Sequence, residues 1–328
     1  MLAFDSLLAV RALRVESRGR GAGAQVLRGV DLDVGKGEIV GVVGESGSGK
    51  TTTALAILHL LPTGLRVSGG QINFAGQDLL TLHPKALQAL RGGRIAMIFQ
   101  DALRHLNPVF SVGDQLSAVI RAHHPELSKA EVRTRAIELF EQVQIVEPER
   151  RLRSYPHQFS GGMAQRVMIA MALAGNPELL LADEPTSALD VTVQAEILRL
   201  LRRIAREHAM AVLFISHNLG AVWQICDRVC VMYAGQVVEV TATPTLVDQP
   251  AHPYTRALLA ALPRLELGRS ALVSIPGTAP SVSDVPTGCA FHPRCAFARN
   301  ECRQRPPTLL PIAANHDARC FFAGQLPA

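Results

Sequence analysis

A chain of 328 residues that is 48% apolar can bury at least one full core and has the length of one large domain or two. Its formal charge of +5 comes from 33 Lys and Arg mixed through the chain with 28 Asp and Glu, so it reads as a solvated basic surface and not as a nucleic-acid face. A membrane-spanning segment is excluded as well: the best candidates are broken by Asn176, Pro177 and Glu178 or by His217 and Asn218, so any membrane role has to come through partners.

Met1 to Val10 lacks the charged, apolar and small-residue regions of a secretory signal, so the protein is expected to stay in the cytoplasm. Leu7 to Glu16 and Val26 to Val34 alternate apolar and polar or carry β-branched residues, predicting strands. Glu38 to Val43 is a short apolar run that ends in a glycine-rich turn, and a helix is predicted from near Lys50. From about Leu87 to Gly175 the pattern turns helical. Val112 to His123 and Ser128 to Val143 space apolar residues three and four apart, with Ser128 and Glu131 set as a capping box, and the stretch reads as an inserted helical subdomain. Strand character returns at Leu179 to Ala182, Ala211 to Ser216 and Arg228 to Tyr233, separated by an amphipathic helix from Val191 to His208. This alternation predicts an α/β fold with a largely parallel sheet covered by helices. Beyond about Pro250 prolines multiply and four of the six cysteines appear, so a boundary is expected there, giving 1–250 and 251–328.

Gly44-Glu45-Ser46-Gly47-Ser48-Gly49-Lys50-Thr51 fits G-x-x-x-x-G-K-[ST] between a predicted strand and a predicted helix, the context that motif requires. Gly44, Gly47 and Gly49 let successive backbone N–H groups, that of Ser46 among them, curl around phosphate oxygens. The helix start adds positive potential, and Lys50 brings a point charge to the β- and γ-phosphates. Thr51 would offer its hydroxyl to Mg²⁺ and Thr52 would bond the α-phosphate. The apolar run Leu179 to Ala182 stops at two carboxylates, Asp183 and Glu184. At the carboxyl end of a parallel strand they would share the crevice of the phosphate loop, Asp183 in the Mg²⁺ shell and Glu184 polarising an attacking water.

Phe159-Ser160-Gly161-Gly162-Met163-Ala164-Gln165-Arg166, just upstream of Asp183, closely resembles the signature of the ATP-binding cassette (ABC) family. Ser160 suits a helix N-cap, and Gly161 and Gly162 would let a phosphate approach that helix end. The resemblance implies a dimer in which each signature meets the ATP held by the other protomer's phosphate loop. It also implies an ABC core with a mostly parallel sheet, an antiparallel β subdomain and the helical insertion, here about 100–175. Gln100, in Ile98-Phe99-Gln100-Asp101, resembles the Q-loop glutamine that senses Mg²⁺ and touches the membrane subunit. Ser187-Ala188-Leu189-Asp190 resembles the D-loop, and His217 resembles the switch histidine that reaches the γ-phosphate.

Gly44 to Lys50, the run Ile98 to Asp101 with Leu106-Asn107-Pro108-Val109, Tyr155-Pro156-His157-Gln158-Phe159 and Met168 to Leu173 look like the dipeptide, oligopeptide and nickel importer branch of that family. His252-Pro253-Tyr254-Thr255 and Gly288-Cys289-Ala290-Phe291-His292-Pro293-Arg294-Cys295 resemble its C-terminal extension, so the likeness runs from about residue 7 to about 321. It implies an ATPase on the cytoplasmic face of the membrane, working with two transmembrane permease subunits, a second related ATPase subunit and an extracytoplasmic binding protein. The cargo would be a di- or oligopeptide, with nickel or another small solute as alternatives. A soluble ABC ATPase acting on nucleic acid or ribosomes is the rival reading, disfavoured by a single cassette without heptads. The sequence departs from the pattern at Ser17, where an aromatic usually stacks on adenine, and at Ala102, Arg104 and His105 beyond the Q-loop.

Cys289, Cys295, Cys302 and Cys320 fall in a proline-rich stretch too poor in apolar residues for a core of its own, which calls for a staple. Their spacing matches neither a paired zinc ribbon nor a bacterial ferredoxin run, leaving zinc, an iron–sulfur cluster or free thiols open. The resemblance to the importer branch implies a [4Fe–4S] cluster; His292 and His316, in the same stretch, are candidate substitute ligands. Cys226 and Cys230, in apolar company, read as core residues.

Overall fold

The computed structural model describes residues 6–18, 23–261 and 274–326, so the first five residues of the stretch Met1 to Val10 lie outside them. In chain order the strands are β1 (Ser6–Ser17), β2 (Gln25–Gly35), β3 (Ile39–Val43), β4 (Leu65–Phe74), β5 (Gln77–Asp78), β6 (Ile95–Ile98), β7 (Leu179–Asp183), β8 (Ala211–Ser216), β9 (Arg228–Tyr233), β10 (Gln236–Ala242), β11 (Leu310–Ala313) and β12 (His316–Ala318). The described residues divide into two compact units. One holds Val34–Ile39 and Thr81–Ser216 with the described residues up to Leu7; the other holds Leu8–Asp33, Val40–Leu80 and the described residues from His217 onward.

In the first unit β6, β7 and β8 run parallel, with Ile95 opposite Leu179 and Leu179 opposite Ala211. Every residue of β7 and β8 is buried, which is why they read as continuous apolar runs and not as alternating ones. The helices Val112–His123, Lys129–Gln142 and Gly161–Leu173 pack on one another. The first two bury Val112, Leu116 and Ile120 and Val132, Ala136, Leu139 and Phe140. Ser111 caps the first helix, and Ser128 with Glu131 forms the expected capping box on the second. The helix Val191–Glu207 starts at Asp190, whose carboxylate accepts the Val193 N–H at 3.0 Å. Its inner face buries Ile197, Leu198, Leu201 and Ile204, each contributing about 1.5–3 kcal/mol.

In the second unit β3 lies parallel to β9, and β9 turns back into β10 through Ala234 and Gly235. Both turn residues have positive φ (45° and 76°), the type I′ geometry that matches strand twist. A separate four-stranded sheet has the order β2-β1-β4-β5, with β1/β4 and β4/β5 antiparallel. The C-terminal segment joins the unit by strand addition: β12 pairs antiparallel with β10, and β11 with β12. Phe291, 2% exposed, packs its ring 5.3 Å from both Tyr233 and Tyr254. The segment therefore takes its core from β9 and from the helix Pro253–Ala260, not from its own apolar residues. Parallel strands, an antiparallel sheet and a helical region make this the α/β class the sequence predicts. Among the described residues no helix is long and apolar enough to cross a membrane.

Candidate functional site

The phosphate loop belongs to the second unit and joins β3 to the helix Lys50–Ile57. Gly44 has φ 153°, and a Cβ there would lie 2.1 Å from the Met232 carbonyl oxygen. Gly49, at φ 103°, would drive a Cβ to 2.5 Å from Leu27, so both positions admit glycine alone. Gly49 supplies no capping side chain to the helix that follows. The Lys50 ammonium donates to the carbonyl oxygens of Gly44 (2.8 Å) and Glu45 (3.0 Å), which draws its charge into the loop. Ser46, Gly47 and Thr51 are exposed and Thr52 is half-buried, so the outer rim of the loop faces solvent.

The carboxylates, the glutamine and the signature belong to the first unit. Asp183 ends β7 and is 4% exposed, while Glu184 turns out of the strand at φ 46° and donates its backbone N–H to Ile215 (2.9 Å). Gln100 reaches the same place from the end of β6, its amide donating to Glu184 Oε2 at 3.3 Å. Beyond it Arg104 pairs with Asp101 at 2.7 Å and the His105 ring stacks on Phe99 at 4.9 Å, so the residues that depart from the family pattern rebuild the loop by local contacts. Ser160 caps the helix Gly161–Leu173 by accepting the Met163 N–H at 3.4 Å. Gly162 has a packing reason of its own: a Cβ there would come within 2.5 Å of Val193 Cγ1, in the helix that Asp190 caps. His217 follows β8 and is exposed.

All four C-terminal cysteines line one pocket, together with Phe291, Phe297, Phe321, Phe322, His252 and His292. Burial pushes the Cys289 thiol up to about 11, with the neighbouring thiols adding to the effect, and raises Cys295 and Cys320 as well. Arg299 lies over the Phe322 ring at 4.0 Å and Arg305 over Phe321 at 4.9 Å, which brings two cations to aromatic walls of the pocket. Among the described residues no three His, Cys, Asp or Glu groups stand close enough to hold one metal ion. His292 lines the pocket, but His316 does not: its Nε2 is 2.8 Å from Glu239 Oε1, both side chains buried, and this overturns its reading as a substitute ligand. Glu239 also accepts the backbone N–H groups of Ala251 and His252 at 2.8 Å each, so His316 completes a carboxylate shell. Cys226 and Cys230 are buried in the core as read.

Sequence reasoning missed a tie between the C-terminal segment and the phosphate loop. Arg294 grips the Glu45 carboxylate in a fork, Nη1 to Oε2 at 2.6 Å and Nη2 to Oε1 at 2.9 Å, across 249 residues. The Tyr254 hydroxyl accepts the Glu45 N–H at 2.8 Å. Each is an ordinary polar residue in sequence; the single hint is that Glu45 puts an acid inside an anion-binding loop.

Residues 27–187 match the family described as ABC transporter, and residues 238–302 match the oligopeptide/dipeptide transporter C-terminal region. The chain is 47% identical over 324 residues to a probable peptide ABC transporter ATP-binding protein, y4tR, of Sinorhizobium fredii, covering 98% of this chain and 96% of that protein. It is 46% identical over 320 residues to a probable D,D-dipeptide transport ATP-binding protein, DdpD, of Escherichia coli, covering 97% of each. The solved dimer of the ATP-binding cassette MJ0796, in a post-hydrolysis state with ADP and Pi, superposes with a TM-score of 0.64 at 28% identity over 72% of this chain and 98% of that one. The phosphate loop and signature-bearing fold thus define an ABC-type ATPase. The chain belongs to the ATP-binding subunits of the ABC transporter family, and within it to the branch that carries the oligopeptide/dipeptide C-terminal region.

Proposed function

We propose that this chain is the ATP-hydrolysing subunit of a peptide importer, seated on the cytoplasmic face of the membrane. The observation that carries the reading is the Gln100–Glu184 hydrogen bond at the end of a buried parallel strand, in a chain whose glycine-rich loop already holds Lys50 inward. Backbone N–H groups of Gly44, Ser46, Gly47 and Gly49 would hold the phosphates, and Lys50 would exchange its loop carbonyls for the β- and γ-phosphate oxygens. Thr52 would bond the α-phosphate. Glu184 would orient and polarise the attacking water, Gln100 would hold that carboxylate in place, and His217 would bond the γ-phosphate.

Thr51, Gln100 and Asp183 offer hard oxygen donors of the kind that would hold Mg²⁺, which would supply charge neutralisation at the phosphates when bound. Ser160, Gly161 and Gly162 would close on the nucleotide of a second protomer, with Asp190 beside that contact; the dimeric relative MJ0796 supports this reading. The partner ATPase would be a related subunit, and two permease subunits and an extracytoplasmic binding protein would complete the importer. Residues 1–250 would carry nucleotide chemistry and residues 251–328 the peptide-importer extension. The likeness to a probable peptide transporter subunit and a probable D,D-dipeptide transporter subunit favours peptide over nickel as cargo.

The four-thiol pocket fits a metal centre, because soft thiolates converge on one apolar space with Arg299 and Arg305 at its aromatic walls to balance negative charge. The resemblance to the importer branch supports a [4Fe–4S] cluster, with zinc as the alternative. Cys289, Cys295, Cys302 and Cys320 would be its ligands.

The test is reconstitution with the membrane subunits in vesicles. ATP-dependent uptake of peptides that stops in the Glu184→Gln variant supports the proposal. Uptake unaffected by that substitution, or a non-peptide cargo, removes it.

A further inference from the structure

Glu45 has no part in the roles above, yet it is among the most firmly held residues of the phosphate loop. Its N–H meets Tyr254 Oη, and its carboxylate meets both terminal nitrogens of Arg294. Arg294 has little freedom: its side chain is 5% exposed, its Nε donates to the Pro276 carbonyl at 2.8 Å, and its guanidinium lies over the Tyr233 and Phe291 rings at 5.8 and 5.9 Å. A planar fork bound on every nitrogen fixes the direction of its partner as well as its charge.

The consequence for the loop has two parts. A bare carboxylate next to a bound triphosphate repels it, and the guanidinium cancels that repulsion. The Glu45 carbonyl also accepts from the Lys50 ammonium at 3.0 Å, so where Glu45 sits bears on where that ammonium waits.

We infer that the C-terminal region sets nucleotide affinity by clamping Glu45 at two points, with Arg294 as a positioning residue that orients the phosphate loop and neutralises its acid. The inference rests on the reading of Gly44–Thr51 as the ATP phosphate loop. Arg294 acts through the Glu45 carboxylate. It lies between Phe291 and Cys295, both of which line the thiol pocket, so the turn that carries the pocket also carries the clamp.

The experiment titrates the full chain with a fluorescent ATP analogue and follows amide hydrogen exchange without nucleotide. Arg294→Gln is expected to weaken ATP binding about tenfold and to speed exchange at residues 44–50 while leaving residues 179–183 protected. Adding Glu45→Gln to it should recover most of the affinity, since no unpaired carboxylate then faces the phosphates. A variant that binds ATP like the parent, or a double variant as weak as Arg294→Gln alone, overturns the clamp. Should Arg294→Gln not fold, Arg294→Lys keeps the charge and loses the fork, and unchanged affinity and exchange in that variant overturn it equally. Lys50→Ala separates the two readings: if it binds ATP as tightly as the parent, the phosphate-loop reading itself falls.

Discussion

The Gln100 amide donates to Glu184 Oε2 at 3.3 Å, joining residues 84 positions apart at the ends of two neighbouring parallel strands. Glu184 leaves β7 with φ 46°, a left-handed conformation that a non-glycine residue adopts only when its surroundings hold it there. Its backbone N–H is held by Ile215 on β8 and its side chain by Gln100, so the carboxylate is directed by both flanking strands.

Glu184→Gln keeps the shape and removes the basic oxygen. Hydrolysis by this variant is expected to fall at least about a hundredfold while ATP binding persists. Gln100→Ala leaves the Glu184 carboxylate in place but undirected, so its loss should be smaller. Steady-state phosphate release and nucleotide titration on the same preparations check both, and equal losses in the two variants would remove the positioning role of Gln100.

What was legible in the sequence was local. The Ser128–Glu131 capping box, the Ser160 cap and the all-buried strand Leu179 to Asp183 are each written in a few consecutive residues, where periodicity and capping chemistry act. The Arg294–Glu45 fork and the His316–Glu239 pair span 249 and 77 residues, and strand addition of β12 to β10 creates the second of them. No local signal marks His316 as a partner of a carboxylate and not of a metal, because the carboxylate it meets lies 77 residues earlier in the chain. Division into two units escaped for the same reason: Val34–Ile39 packs with Thr81–Ser216, far along the chain.

The buried Glu239–His252–His316 group predicts acid sensitivity. Burial lowers His252 to about 4, with Glu239 opposing, so below about 6.5 the unfolded chain takes up a proton there that the folded chain refuses. For Glu239 burial works upward, but hydrogen bonds from His316 and from the Ala251 and His252 N–H groups outweigh it and lower the carboxyl. Its stabilisation is present above the unfolded carboxyl value and is lost as pH falls through the lower folded one. Stability should thus drop by about 3 kcal/mol from His252 between about pH 6.5 and about pH 4, with Glu239 adding a further loss in more acid solution. Melting the chain across that range checks it, and His252→Asn, which keeps a capping oxygen, should flatten the upper part of the curve.

The pocket and the carboxylate shell give opposite predictions for two neighbouring kinds of residue. Cys302→Ser should lower the metal content of anaerobically purified protein, since Cys302 is buried against the pocket. His316→Ala should leave metal content unchanged and cost about 1–3 kcal/mol of stability, because it strips a hydrogen bond from a fully buried carboxylate. Iron, zinc and sulfide analysis beside denaturant unfolding separates the two, and metal lost in His316→Ala would return that residue to the ligand set.

Gly162 carries a prediction about packing. Its φ is not positive, so the backbone would accept alanine without strain, and the obstacle is a Cβ placed 2.5 Å from Val193 Cγ1. The contact lies between the start of the helix that Ser160 caps and the start of the helix that Asp190 caps, so the methyl would push apart two N-termini read as parts of one nucleotide contact. Gly162→Ala should cost about 1–3 kcal/mol through overpacking. Val193→Ala deletes the opposing methyl and should restore stability in the double variant, a coupling that denaturant unfolding measures directly. If the double variant is no more stable than Gly162→Ala, the methyl clash is not the cause, and the glycine is needed at that helix start for its bare backbone.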